Sequence, residues 1–347
     1  MQVTETTTPV RVAIVGAGSM GTNHLRVLRD FEEGRVSVVG VAESFPETRA
    51  RAERIFHIPG FADYKTMISQ TKPDLVVVVT PTVTHFEVAS FALEHGCNVL
   101  VEKPIAHTVA EAEALVKLSR SKGLVLAVGH VEHFNPAVRR LKGLLEENTL
   151  GHIYQLLARR MGPFPSRIRD VGVTLDLATH DLDVMRFITG SDVRTLFAQT
   201  QQLVHRDYED LLLGVLRFES GAVGVLDVNR LTPTKTRELT VTGERGMFYL
   251  NYITQELTFT ENDFEPSDWA QRGSVAGVSD GAMTRYKVHK GEPLRLEYED
   301  ILRAISTHTD PGVTGESGLV ALAIAHDILE SAKTGEVITC AATIQAK

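Results

Sequence analysis

Cysteine is almost missing from this chain: its 347 residues include two, Cys97 and Cys340, one in each half. That excludes a disulfide framework and a cysteine-built metal site, both of which need more thiols at closer spacing. Positive charge is in deficit as well, with 36 Lys and Arg against 44 Asp and Glu and a formal net charge of −8. Nonspecific nucleic-acid binding needs a basic surface, so no nucleic-acid partner is expected. No hydrophobic run approaches the ~18 residues of a membrane span. The "LVVVV" stretch is short and lies between Asp74 and Thr80, so no membrane partner is expected. The opening "MQVTETTTPV" has neither a basic n-region nor an apolar h-region, which makes a cytoplasmic protein the expectation.

What the chain does have is ordinary globular material, 43% hydrophobic and 23% charged, in a length sufficient for two domains. From Val10 to about Gly129, short β-rich runs alternate with helical ones: "VRVAIVGA", "VSVVGVAE", "DLVVVVTP", "NVLVEKP" and "LVLAVGH" are separated by amphipathic stretches. Runs apolar on both faces between helices predict a parallel, doubly wound sheet over residues 1–129. Its first turn, "GAGSMG", places Gly16, Gly18 and Gly21 in the G-x-G-x-x-G spacing, with Ser19 and Met20 between them. The three glycines suit a tight turn, a close approach of backbone to a pyrophosphate, and close packing of helix on strand. Glu43, 22 positions after Gly21 at the end of the second strand, matches a ribose-binding carboxylate. Its alternative is a plain surface turn. An acid there repels a 2′-phosphate, so the expected cofactor is NAD rather than NADP.

The texture changes after Gly129. "NPAVRRLKGLLEEN" predicts a helix with Asn135 as N-cap and Pro136 at its first position. Long β-type runs without intervening helices follow, from "VRTLFAQTQQLVH" to "MFYLNYITQELTFTE", and predict an open, mainly antiparallel sheet. Residues from about Asn262 to Gly291 read as loop, and two helices close the chain. The expected second domain is therefore an α+β unit over residues 130–347.

Within it, "TLDLATHDLD" sits in an apolar segment, Val171 to Ile188, that predicts a helix. There Asp176, His180 and Asp183 fall within roughly 60° of one another on one face. A solvated stripe is the alternative, but this stripe has no Lys or Glu and is hemmed by Leu175, Leu177, Ala178, Leu182 and Val184. A cleft suits it better, because buried ionisable groups need partners and mark sites.

In a doubly wound sheet ligands lie beyond the carboxyl ends of the strands. Thr80, Pro81 and His85 fall at one such end and Glu102, Lys103 and Pro104 at another. A salt bridge to Glu102 is the alternative for Lys103. With "GAGSMG", "EKP" and "GVTLDLATHDLDV" in order across both halves, the chain resembles the glucose–fructose oxidoreductase, inositol dehydrogenase and rhizopine catabolism (Gfo/Idh/MocA) family of NAD(P)-dependent sugar oxidoreductases. The resemblance implies catalytic roles for Lys103, Asp176 and His180. It implies cofactor contacts for Gly16, Gly18, Ser19, Met20, Gly21, Glu43, Thr80, Pro81, His85, Glu102 and Lys103.

Within that family, "GHVEHFNPAV" and "RRMGPFPSRIRDVGVTLDLATHD" look most like enzymes acting on the 3-hydroxyl of UDP-N-acetylglucosamine or its uronic acid relative. The expected substrate contacts are Lys103, Asn135, Arg160, Arg167, Asp176 and His180, with His130 and Tyr154 as further candidates. Arg159, Arg160, Arg167 and Arg169 read as a cluster in one Pro/Gly-containing loop, suited to a diphosphate; pairing with Asp170 or a second subunit is their alternative. His133 departs from the arginine common in relatives. Oxidation of a free sugar or inositol, transient use of NAD for glycoside hydrolysis, and a non-catalytic NAD-binding sensor remain open. The second-half sheet, with Leu212, Val215 and Leu216, is expected to support a homodimer or homotetramer. No metal is expected.

Overall fold

The computed structural model describes residues 8–31, 34–164, 171–263 and 279–340. Its contacts separate into two compact units. The first holds residues up to Val131 together with Glu292–Ala323, and the second holds Glu132–Gly291 and the chain from Ile324.

The first unit is built on a six-stranded parallel sheet. Along the chain it runs β1 (Val10–Val15), α1 (Ser19–Arg29), β2 (Val36–Ala42), α2 (Pro46–Phe56), β3 (Gly60–Phe61), α3 (Tyr64–Thr71), β4 (Leu75–Val78), α4 (His85–Glu94), β5 (Asn98–Val101), α5 (Val109–Lys122) and β6 (Leu126–Val128). Spatially the strands lie in the order β3-β2-β1-β4-β5-β6. All four residues of β4 and three of the four in β5 are fully buried, as the unbroken apolar runs require of strands covered on both faces. Each such side chain contributes roughly 1.5–3 kcal/mol over leaving it in water. The order reverses between β1 and β4, so the crevice beyond their carboxyl ends is the topological binding position.

The second unit carries α6 (Pro136–Glu146), β7 (Ile153–Met161), a π-helical turn (Thr174–Ala178), α7 (Thr179–Thr189), β8 (Val193–Gln201), β9 (Leu211–Phe218), β10 (Val223–Asn229), β11 (Thr236–Gly243), β12 (Gly246–Asn251), β13 (Glu256–Asp263) and β14 (Ser279–Tyr286). Two helices, α8 (Pro293–Thr307) and α9 (Gly315–Thr334), and the short β15 (Ile338–Thr339) follow among the described residues. The strands form one nine-stranded sheet, β14-β13-β12-β11-β7-β10-β9-β8-β15, antiparallel except where β7 pairs with β10.

Several expectations are corrected. The chain after residue 129 is not one body, because Leu294, Tyr298, Ile301 and Leu302 of α8 join the core of the first unit with Val12, Ile14 and Leu25. Nothing local in an amphipathic helix says which sheet it will cover. "MFYLNYITQELTFTE" is two strands, since Gln255 takes a left-handed conformation at φ 53° in the turn between β12 and β13. The segment expected to be loop from Asn262 to Gly291 contains β14. Leu212 and Leu216 point to the covered face of the sheet, and Val215 alone of that trio points to the open one.

Candidate active site

At the end of β1 the chain turns at Gly16, whose φ of 103° is open to glycine and costly for other residues. A Cβ on Gly21 would lie 2.1 Å from the Gly16 carbonyl oxygen, so α1 can approach the strand this closely only with glycine. Gly18 faces open space, with nothing within 4 Å of an added Cβ. As the N-cap of α1 it supplies no side chain to the free backbone N–H groups of the first turn. That dipole-favoured helix start fits a pyrophosphate. Ser19 and Met20 open the helix, Ser19 exposed and Met20 half-buried.

Glu43 is held across the same turn: Oε2 accepts from the Ala17 backbone N–H at 2.9 Å and Oε1 from that of Phe45 at 3.0 Å. Oε1 also accepts from the Ser44 hydroxyl at 3.5 Å, so Oε2 is the oxygen with capacity left for a ribose hydroxyl. These residues therefore fit a dinucleotide such as NAD, and the carboxylate opposes a 2′-phosphate.

Thr80 is half-buried and Pro81 exposed after β4. His85 is a different case. Buried at 1% exposure, its ring nitrogens lie 2.8 Å from the Pro104 carbonyl and 2.9 Å from that of Thr80. It braces two strand ends against each other, in place of the expected cofactor contact. Glu102 is also buried, and its Oε2 accepts from the Lys103 backbone N–H at 3.2 Å. Lys103 follows half-buried, with a cis peptide to Pro104.

In the second unit the expected straight helix begins as a π-helical turn. Its first N–H groups are satisfied by Glu209, whose Oε1 accepts from Thr174 at 2.9 Å and whose carbonyl accepts from Val173 at 3.1 Å. Asp176 lies in this turn and His180 in the first turn of α7, both half-buried. The expected triplet splits. Asp183 is buried and its Oδ2 sits 3.0 Å from His133 Nδ1. Asp176 Oδ2 instead accepts from Arg230, a residue at the end of β10 with 3% exposure.

Two expected substrate contacts are committed elsewhere. Arg160 and Arg159 lie in β7, not in a loop; alternation turns Arg159 outward towards Asp227, 3.6 Å away, and Arg160 inward. Arg160 is 3% exposed and forks onto Asp181 at 2.7 and 3.0 Å, with Glu132 at 3.1 Å. A buried guanidinium needs such acceptors, so it is structural. Asn135 is 1% exposed: its Oδ1 caps α6 at Ala137 N and its Nδ2 donates to the Tyr252 carbonyl at 3.0 Å. Arg167 and Arg169 lie outside the described residues. Tyr154 is exposed and His130 buried.

Sequence reasoning missed Arg230, Glu209 and Arg237. Burial, with Arg160 on the neighbouring strand, pushes the Arg237 guanidinium down to about 10. Its Nη1 donates to the carbonyls of Met161 and Thr236, at 2.6 and 2.8 Å. The one local signal was a lone arginine at each strand end, too common to single out. Among the described residues no cluster of three His, Cys, Asp or Glu is placed to hold a metal, and no helix is long and apolar enough to cross a membrane.

Comparison with known proteins agrees with this geometry. The profile of an oxidoreductase family with an NAD-binding Rossmann fold, GFO_IDH_MocA, matches residues 10–130, and the profile of the GFO/IDH/MocA C-terminal domain matches residues 138–249. A UDP-N-acetylglucosamine 3-dehydrogenase of Acidithiobacillus ferrooxidans is 27% identical over 316 residues, 91% of this chain and 95% of its own. Its solved structure superposes with a TM-score of 0.82, covering 94% of this chain and 99% of that one at 26% identity. A myo-inositol 2-dehydrogenase of Thermotoga maritima is 25% identical over 331 residues, 91% of this chain and 94% of its own. The WlbA dehydrogenase of Bordetella pertussis, solved with NADH and UDP-GlcNAcA, shares the fold at TM-score 0.78 and 23% identity, covering 96% of this chain and 99% of that one.

Proposed function

Because this chain belongs to the Gfo/Idh/MocA family of NAD-dependent sugar oxidoreductases, we propose that it oxidises a secondary hydroxyl of a nucleotide-linked sugar, first among them the 3-hydroxyl of UDP-N-acetylglucosamine. The observation that carries this reading is the match across 91% of the chain to an enzyme of that activity, in a sequence that has Lys103, Asp176 and His180. When bound, NAD supplies the acceptor for the hydride that leaves the carbinol carbon.

The chain's own residues handle the proton. His180 takes it from the hydroxyl, a role for which imidazole is suited and which contributes roughly 10²- to 10⁴-fold. Asp176, held by Arg230, favours the protonated imidazole. The Lys103 ammonium donates to the hydroxyl oxygen and stabilises its alkoxide character. Lys103 as the base is the competing division of labour, and His180→Ala with unchanged turnover would decide for it.

Absorbance of NADH formed with UDP-N-acetylglucosamine, UDP-N-acetylglucosaminuronate and myo-inositol tests the substrate. Fastest turnover of UDP-N-acetylglucosamine is expected. Turnover of myo-inositol alone would favour the cyclitol reading, which the Thermotoga maritima relative supports. Binding of NADH without turnover of any of the three would mark a sensor.

The same reading extends to assembly. Phe197, Val215, Val225 and Leu157 stand in one cross-strand row on the open face of the sheet, with Leu213 beside it and Met247 exposed on the same face two strands beyond Leu157. A second copy of the chain on this face gives a homodimer or homotetramer, and sedimentation of a monomer at micromolar concentration would refute it.

A further inference from the structure

Behind the end of β5, three buried side chains follow one another in a chain that none of the roles above uses. Both ring nitrogens of His24 are satisfied: Nδ1 pairs with the Tyr298 hydroxyl at 2.6 Å, and Nε2 with Glu102 Oε1 at 2.9 Å. The other Glu102 oxygen accepts from the Lys103 backbone N–H. His24 and Tyr298 are fully buried and their rings meet edge to face at 5.6 Å. Burial pushes the Glu102 carboxyl up, but the hydrogen bond and electrostatic attraction of His24, followed by the neighbouring Lys103 charge, outweigh it and hold it below the usual carboxylate range.

Packing alone would be served by apolar residues. Burying an imidazole, a phenol and a carboxylate is costly unless each finds its hydrogen bonds, and this chain satisfies them in a line that ends on one residue. His24 also lies six positions beyond Gly18, on the helix whose start forms the pyrophosphate turn. We propose that His24, locked by Tyr298, is a positioning residue for Lys103, acting through Glu102, and that it ties Lys103 to the helix that receives the cofactor's pyrophosphate. The inference rests on the assignment of Lys103 to the reaction.

Two measurements on the full chain test it, and the first needs no substrate. Acylation of the Lys103 amine by an N-hydroxysuccinimide ester, followed by peptide mass spectrometry, is compared in the parent, His24→Leu, Glu102→Gln and Tyr298→Phe, with exposed Lys72 and Lys333 as internal references. Losing or loosening the neighbouring carboxylate should speed Lys103 labelling by about three-fold or more relative to those references. Tyr298→Phe removes one oxygen and keeps the packing, so its labelling decides even if His24→Leu does not fold.

The second measurement is the split between kcat and KM for whichever sugar turns over. His24→Leu and Glu102→Gln should lower kcat about ten-fold or more, a loss of the order positioning contributes, with little change in NADH affinity. His24→Gln, whose amide N–H can reach Glu102, should recover part of it. Equal labelling in the parent and all variants overturns the proposal, as does a parallel loss of NADH binding and kcat with Lys103 labelling unchanged. If the parent turns over no sugar, the functional reading fails while the labelling still decides for or against the relay.

Discussion

Arg230 reaches Asp176 across 54 residues of sequence, donating to its Oδ2 through Nη2 while Nη1 donates to the Val171 carbonyl at 3.2 Å. Its own backbone is fixed, because its N–H donates to the Asp210 carbonyl, and Asp210 Oδ2 in turn accepts the backbone N–H groups of Leu203, Val204 and His205. The carboxylate one turn before His180 is thus held by a cation that is itself anchored at two strand ends.

Removing that cation leaves a half-buried carboxylate without its guanidinium. Arg230→Met should cost about 3–5 kcal/mol in urea unfolding and reduce kcat strongly. Arg230→Lys keeps the charge but not the planar two-point geometry, so it should fall between Met and the parent in both measurements. Equal stability of all three would show that the pair contributes nothing.

The glycines of the first turn should separate binding from folding. Gly18→Ala adds a methyl to open space, so its thermal midpoint should stay within a few degrees of the parent while NADH affinity, read by fluorescence titration, drops about ten-fold or more as the methyl meets the pyrophosphate. Gly21→Ala puts a Cβ 2.1 Å from the Gly16 oxygen and should lose thermal stability and NADH affinity together. The opposite ranking would place the pyrophosphate elsewhere.

Glu43 should set the choice of dinucleotide. Replacing it by Ser removes the anion that opposes a 2′-phosphate and one acceptor for the ribose, so the ratio of NAD to NADP affinity should fall by about ten-fold or more, roughly 1.4 kcal/mol. A ratio unchanged in Glu43→Ser would move the discrimination to another residue.

The Glu102 carboxyl titrates lower in the folded chain than in the unfolded one. A depressed carboxylate contributes stability that is complete above its unfolded value, about 4.3, and is lost as pH falls through the folded value. Parent and Glu102→Gln should therefore differ in urea midpoint near pH 7, and the gap should close below about pH 4. A gap that stays constant with pH would mean that Glu102 contributes packing and no charge.

The candidate residues differed in how much the sequence revealed. The glycine turn and Glu43 were legible because their chemistry is local: strand, turn and helix start are consecutive, and the acid follows at a spacing fixed by one β-α-β unit. Lys103, Asp176 and His180 stood out by strand-end position and helical spacing, but their expected roles came from a family pattern, because nothing in their immediate neighbours states what faces them. Asp183 shows the limit. Its spacing from His180 suited a shared face, and both do lie in the regular helix α7, yet Asp183 is buried and meets His133, a partner 50 residues away that no helical spacing announces.

By itself the sequence determined the parallel sheet, its nucleotide turn, the capping of α6 by Asn135 and the antiparallel character of the second sheet, since each follows from residue periodicity or from groups a few positions apart. Tertiary structure alone decided that Arg160 pairs with Asp181 and Glu132, that Arg230 holds Asp176, that α8 returns to the first core, and that Tyr298 reaches His24 across 274 residues. Burial makes a charge find a partner, but which partner is set by strand register and helix placement, and those are properties of the folded chain.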